Sequence, residues 1–147
     1  RLNTVQAAIG RVQLRRLDGW NERRRQIASH YNGLLSDLDD LTRPPSGDSA
    51  TREVYHMYAI RCGRRDDLRI WLDQKGIETG IHYATPIHLQ PLYRRMFGYG
   101  SGEFPNSETL CSQELSLPIH PSLTSEEIEF TSRMIHDFYE QEPELRH

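Results

Sequence analysis

Val54-Tyr55-His56-Met57-Tyr58-Ala59-Ile60-Arg61-Cys62 is the stretch on which the fold turns. β-Branched and aromatic residues crowd it, and apolar residues fall at both parities, so it reads as a strand covered on both sides. What precedes it is helical. From residue 3 to about 38, Val5, Ala8, Ile9 and Val12, then Ile27, Tyr31, Leu34, Leu35 and Leu38, recur at helical spacing. This predicts one long helix, or two with a kink at Gly19, capped by Asn3 or Thr4. Residues 42–53 read as a loop, on Pro44-Pro45 and the Ser-Gly-Asp-Ser run that follows.

Downstream, Asp66 or Asp67 opens a short helix through Leu68, Trp71 and Leu72, and Gly76 closes it. Ile77 to His82 is expected as a second short strand. Glycine and serine make residues 98–107 a mobile loop. Leu115 to Ile119 is a third strand, which Pro118 ends or confines to an edge. Thr124-Ser125-Glu126-Glu127 is a capping box, with Leu123 and Ile128 as its hydrophobic staple. Ile128, Thr131, Ile135 and Phe138 form the inner stripe of the last helix, and the acidic tail after Tyr139 is expected to fray. The order predicts an α+β layer of three strands with helices on one face.

At 147 residues the chain fits one domain, and its 36% hydrophobic content leaves apolar surface for another domain or subunit to complete. No run of about 18 apolar residues exists, so no membrane span is expected. The opening Arg-Leu-Asn-Thr has neither an initiator methionine nor a signal core, and is expected to be the cut end of a longer chain. Cys62 and Cys111 make neither a disulfide framework nor a metal spacing; they read as buried free thiols in a reducing, cytoplasmic setting. Net charge is −3, unevenly spread: residues 1–36 hold seven arginines against Asp18 and Glu22, and residues 101–147 hold ten acids against Arg133 and Arg146. Opposite ends of opposite sign can attract within one fold or between chains. No aromatic stacking surface accompanies the arginines, so no nucleic-acid partner is expected. Arg23-Arg24-Arg25 reads as a solvated face with a few ion pairs.

Candidate chemistry lies in Gly80-Ile81-His82-Tyr83-Ala84-Thr85-Pro86-Ile87-His88-Leu89-Gln90-Pro91-Leu92-Tyr93. Two histidines, two tyrosines and a glutamine on a path stiffened by Pro86 and Pro91 suit a pocket wall. His82, Tyr83 and His88 lack the carboxylate or cysteine company of a metal site, and no serine elbow is present. Imidazole and phenol can instead hydrogen-bond a polar ligand; buried structural histidines are the competing reading. His56 and His120 read as structural. Seventeen arginines accompany one lysine, Lys75, whose place at a helix end before Gly76 suits the dipole rather than imine chemistry.

Several segments together resemble a known family. Arg1-Leu2-Asn3-Thr4-Val5-Gln6-Ala7-Ala8, then Leu17-Asp18-Gly19-Trp20-Asn21 with Arg23-Arg24-Arg25, Ile27-Ala28 and Tyr31, is similar to the leading helix of the DegT/DnrJ/EryC1/StrS sugar aminotransferases. Val54-Tyr55-His56-Met57-Tyr58 and Arg65-Asp66 resemble the next strand and turn. His82-Tyr83, Pro86-Ile87-His88, Leu89-Gln90-Pro91 and Tyr93 resemble the pocket segment. Leu115-Ser116-Leu117-Pro118-Ile119 and Leu123-Thr124 resemble the last strand and helix start.

The resemblance implies the small C-terminal domain (41–147) of a fold type I, pyridoxal-phosphate-dependent transferase, preceded by a long interdomain helix (1–40). The large domain, with its Schiff-base lysine, is then absent from these residues. The implied parent is a homodimer that moves an amino group, typically from glutamate, to a nucleotide-linked keto sugar. By resemblance His82, Tyr83 and His88 line the sugar-nucleotide side, with His88 the foremost substrate contact, and Arg1 lies near the partner subunit's cofactor site. No catalytic residue and no metal ligand is expected in this chain, which alone should not transaminate. The alternatives are a stand-alone binding or regulatory module, and a relative that dehydrates sugars.

Overall fold

The computed structural model describes residues 3–47 and 51–141; the expectation for Arg1 and the end of the acidic tail lie outside the described residues. The chain opens with one continuous helix, α1 (Thr4–Leu34). Asn3 caps it: Asn3 Oδ1 accepts from the Gln6 N–H at 2.8 Å, and Gln6 Oε1 accepts from the Asn3 N–H at 3.2 Å. The only buried residues of α1 are in its second half, Ile27, Ala28 and Tyr31. The Val5, Ile9 and Val12 stripe of the first half is 69%, 54% and 47% exposed.

The three-stranded sheet is antiparallel, in the order β1 (Leu41–Thr42), β2 (Tyr58–Cys62), β3 (Glu114–Leu117). Helix α2 (Arg65–Gln74) follows β2, and Gly76 at φ 77° lets the Ile77 N–H turn back to the Leu72 carbonyl at 2.9 Å. Then come a single 3₁₀ turn (Ile87–Leu89) and two short helices, α3 (Pro91–Phe97) and α4 (Pro105–Gln113), each with proline in its first turn. Last is α5 (Ser125–Gln141). Its predicted capping box is present, with Thr124 Oγ1 accepting from the Glu127 N–H at 3.2 Å and Glu127 Oε2 accepting from the Thr124 N–H at 2.8 Å.

Register explains the core. Leu41 faces Cys62, Ile60 faces Leu115 and Tyr58 faces Leu117, so the alternate residues of three strands project one apolar face. Ile27, Ala28, Tyr31 and Leu35, Leu68 and Leu72, and Ile128, Ile135 and Phe138 join that face in one buried cluster. Burying a side chain of this size stabilises by roughly 1.5–3 kcal/mol. Ala59, Arg61, Glu114 and Ser116 form the opposite face, where Arg61 is exposed.

Several expectations need correction. The strand expected from Val54 begins at Tyr58, and its exposed Arg61 shows that one face, not both, is fully buried. The sheet's remaining strand is β1 (Leu41–Thr42), an unexpected element that overlaps the segment read as loop at Thr42. Ile77–His82 forms a single bridge, Gly80 with Ser116, through paired bonds of 3.0 and 2.8 Å. The next pair would be His82 with Glu114. The His82 N–H instead donates to Glu114 Oε2 at 2.6 Å, and the Glu114 carbonyl accepts from Arg65 Nη1 at 3.1 Å, so the ladder stops. The loop expected to be mobile over 98–107 runs into α4, and Glu108 holds it: its carboxylate accepts from Ser101 Oγ at 2.9 Å and from the Gly102 N–H at 2.8 Å. The arginine triplet is half-buried rather than a solvated face. Tyr139 is buried and the last helix continues to Gln141 before the described residues end.

Candidate active site cleft

A cleft of about 700 Å³ opens between the Gly80–Ser116 bridge, the segment after β3 and the first turns of α5. Its walls include His56, His82, Ser116, His120, Glu127 and Phe130. Half-buried arginines of α1 hold the segments that carry some of its wall residues. Arg24 Nη1 donates to the carbonyls of Tyr55 (3.3 Å), His56 (3.2 Å) and Ile119 (2.8 Å), tying two irregular segments together. Arg23 Nη2 donates to the Leu123 carbonyl at 2.7 Å, just before α5. These segments have carbonyls without strand partners, and a guanidinium carries enough donors to satisfy several at once.

Under the cleft floor, β3 places Glu114 and Ser116 on the same face, two residues apart. Glu114 is 3% exposed. Its Oε1 accepts from Ser116 Oγ–H at 2.6 Å, and Ser116 Oγ lies 3.0 Å from His82 Nδ1. The His82 ring covers Gly80 so closely that a Cβ there would sit 2.5 Å from its Cε1. Tyr83 stands edge-on to His82, ring centroids 5.8 Å apart, and is 74% exposed.

His88 is placed elsewhere. It is 7% exposed, its Nε2 is 3.0 Å from Glu108 Oε1, and its ring lies 4.7 Å from that of Phe104. Hydrogen bonding from Ser101, from the Gly102 backbone, from His88 and from Phe104 holds the Glu108 carboxyl below the usual carboxylate range. His88 therefore anchors the 98–104 loop and does not line the cleft, whereas His82 does. His56 and His120, expected to be structural on strand-like surroundings, are exposed on irregular segments and line it. At the α5 end, Glu127 is also held below the usual range by its bonds from Thr124.

Lys75 caps α2 with its Nζ 4.2 Å from the Trp71 ring centroid. It is the one lysine of the sequence. The residues present therefore supply no amine to a cofactor aldehyde beside the cleft, and do not fit a complete pyridoxal phosphate site. Among the described residues no group of three or more histidine, cysteine and acidic side chains is arranged to hold a metal.

The family model described as DegT/DnrJ/EryC1/StrS aminotransferase matches residues 1–135. The chain belongs to this family. It is 45% identical over 129 residues to the erythromycin biosynthesis sensory transduction protein EryC1 of Saccharopolyspora erythraea, covering 86% of this chain and 34% of that protein. It is 41% identical over 123 residues to the dTDP-3-amino-3,4,6-trideoxy-alpha-D-glucose transaminase of Streptomyces venezuelae, covering 84% of this chain and 32% of that one. The crystal structure of S. venezuelae DesV in complex with a ketimine intermediate superposes with a TM-score of 0.90 at 36% identity, over 95% of this chain and 37% of that one. The family chain described here thus spans about a third of the length of the relatives it matches.

Proposed function

We propose that this chain is the C-terminal part of a pyridoxal-phosphate-dependent aminotransferase that acts on nucleotide-linked keto sugars. The observation that carries the proposal is the 0.90 TM-score likeness to a structure holding a ketimine intermediate, together with the dTDP-sugar transaminase among the relatives. The cofactor is the electron sink of such a reaction. In this reading, His82 and Tyr83 face the sugar nucleotide, residues 1–40 lead in from a large domain that supplies the lysine, and Arg1 reaches toward the partner subunit's cofactor in a homodimer. Glutamate is the amino donor. Free thiols at Cys62 and Cys111 support a cytoplasmic setting, and no helix among the described residues is long and apolar enough to cross a membrane. His88 serves the site through Glu108 and the loop.

The test compares the 147-residue chain with the whole gene product, using glutamate and a dTDP-linked keto sugar. The whole product should transaminate and the chain alone should not. A whole product that moves no amino group to the keto sugar refutes the proposal, and turnover by the chain above the rate with free cofactor refutes the need for a lysine from the large domain. In the whole product, His82→Ala should raise KM about tenfold through a lost hydrogen bond. An unchanged KM and kcat would remove His82 from the site.

A further inference from the structure

A buried carboxylate at the end of an edge strand demands a reason, because desolvating it is costly unless its oxygens are hydrogen-bonded. Glu114 has that satisfaction from two groups, and both lead to His82: the His82 N–H reaches Oε2 at 2.6 Å, and Ser116 Oγ–H reaches Oε1 at 2.6 Å with its oxygen 3.0 Å from His82 Nδ1. One carboxylate therefore holds the backbone of His82 directly and its ring through one hydroxyl. An ionised carboxylate only accepts, and serine has one proton to give. Ser116 spends that proton on Glu114, so toward the imidazole it can only accept. His82 Nδ1 must then carry the hydrogen, and in the neutral ring Nε2 keeps its lone pair. Among the described residues Nε2 has no hydrogen-bond partner, and His82 lines the cleft. Gly80 completes the cradle, since a Cβ 2.5 Å from Cε1 would drive the ring off Ser116.

We infer that Glu114, Ser116 and Gly80 are positioning residues that lock His82 as the Nδ1–H tautomer, so that Nε2 is an acceptor selecting a hydroxyl group of a sugar rather than a phosphate oxygen. The inference deepens the proposed function and rests on it for the ligand, while the tautomer lock stands on the geometry of these four residues. A ring free in water prefers the opposite tautomer, so the lock has a spectroscopic signature. A phosphate oxygen offers no proton at neutral pH and cannot satisfy a bare Nε2.

The experiment labels the whole gene product with 15N-histidine and reads the His82 nitrogen shifts at a pH where the ring is neutral. The expected result is Nδ1–H in the native protein, a shift toward Nε2–H in Ser116→Ala, and recovery in Ser116→Thr. An Nε2–H ring in the native protein overturns the lock without any variant. Binding of dTDP-glucose and of dTDP is then titrated against both variants. Ser116→Ala should weaken dTDP-glucose about tenfold and leave dTDP unchanged, with Ser116→Thr restoring affinity. Equal loss for both ligands overturns the choice of hydroxyl over phosphate. If the native ring is Nδ1–H but His82→Ala binds dTDP-glucose as the native protein does, the site reading fails together with the ligand assignment, and the lock alone survives.

Discussion

A single imidazole can be made to prefer its charge by what both nitrogens meet. His136 Nδ1 lies 2.8 Å from the Ser132 carbonyl and Nε2 lies 3.1 Å from Asp37 Oδ1. Only the doubly protonated ring satisfies both acceptors. Partial burial opposes the charge, but the Ser132 carbonyl and Asp37 outweigh it and hold His136 above its ordinary value, while the same bond holds Asp37 below its own. The raised histidine stabilises the fold at pH values below about 6.5 and loses that contribution as pH climbs through its folded value. The lowered Asp37 contributes above about 3.9 and loses it as pH falls through its folded value. Their joint window is thus about pH 4 to 6.5. Thermal midpoints should fall between pH 6 and 8, and Asp37→Asn should remove part of that fall; an unaltered slope in the variant would refute the pairing. At this scale the sequence was partly legible. The period of two in Glu114-Leu115-Ser116-Leu117 already puts glutamate and serine on the face away from the leucines. That His82 would meet them from 32 positions upstream depends on the Gly80–Ser116 bridge, which no local pattern announces.

At the scale of elements, helix boundaries set by side-chain caps were readable, and those set by distant partners were not. Asn3, Gly76 and the Thr124 box act within four residues of themselves, so their chemistry lies in adjacent letters. β1 is only two residues long and exists because Leu41 and Thr42 find Cys62 and Arg61 across a twenty-residue gap. The arginine triplet shows the same limit. A charge run has the composition of a wet helix face, yet Arg24 satisfies three carbonyls from segments 31 and 95 residues away. Arg24→Ala should therefore destabilise the chain by about 1–3 kcal/mol, through carbonyls left without donors. The measure is denaturant unfolding, with His56 and His120 resonances as local reporters. Loss of less than about 0.5 kcal/mol would mean water replaces the guanidinium without penalty.

Across the whole molecule, hydropathy gave the α+β class but split one periodic pattern between two fates. Ile27, Tyr31 and Leu35 enter the core, whereas Val5, Ile9 and Val12, equally helical in spacing, remain in the open. Periodicity says that a stripe wants cover and not what supplies it. Such a stripe promotes association in water. The chain should sediment as larger species at rising concentration, and the double change Ile9→Glu with Val12→Glu should suppress this without moving the thermal midpoint. Monomeric behaviour at every concentration would count against the stripe as a sticky surface.

The length of α1 has a mechanical meaning. From Arg24 back to Thr4 the rod runs about 30 Å. A swing of about 5° about the buried end carries the far tip through roughly 3 Å, given that rise per residue. Arg23 and Arg24 tie the near end of the rod to the carbonyls of Leu123 and Ile119. A grip on the far tip therefore acts on the domain with a long lever arm, and the guanidinium bonds are what resist it.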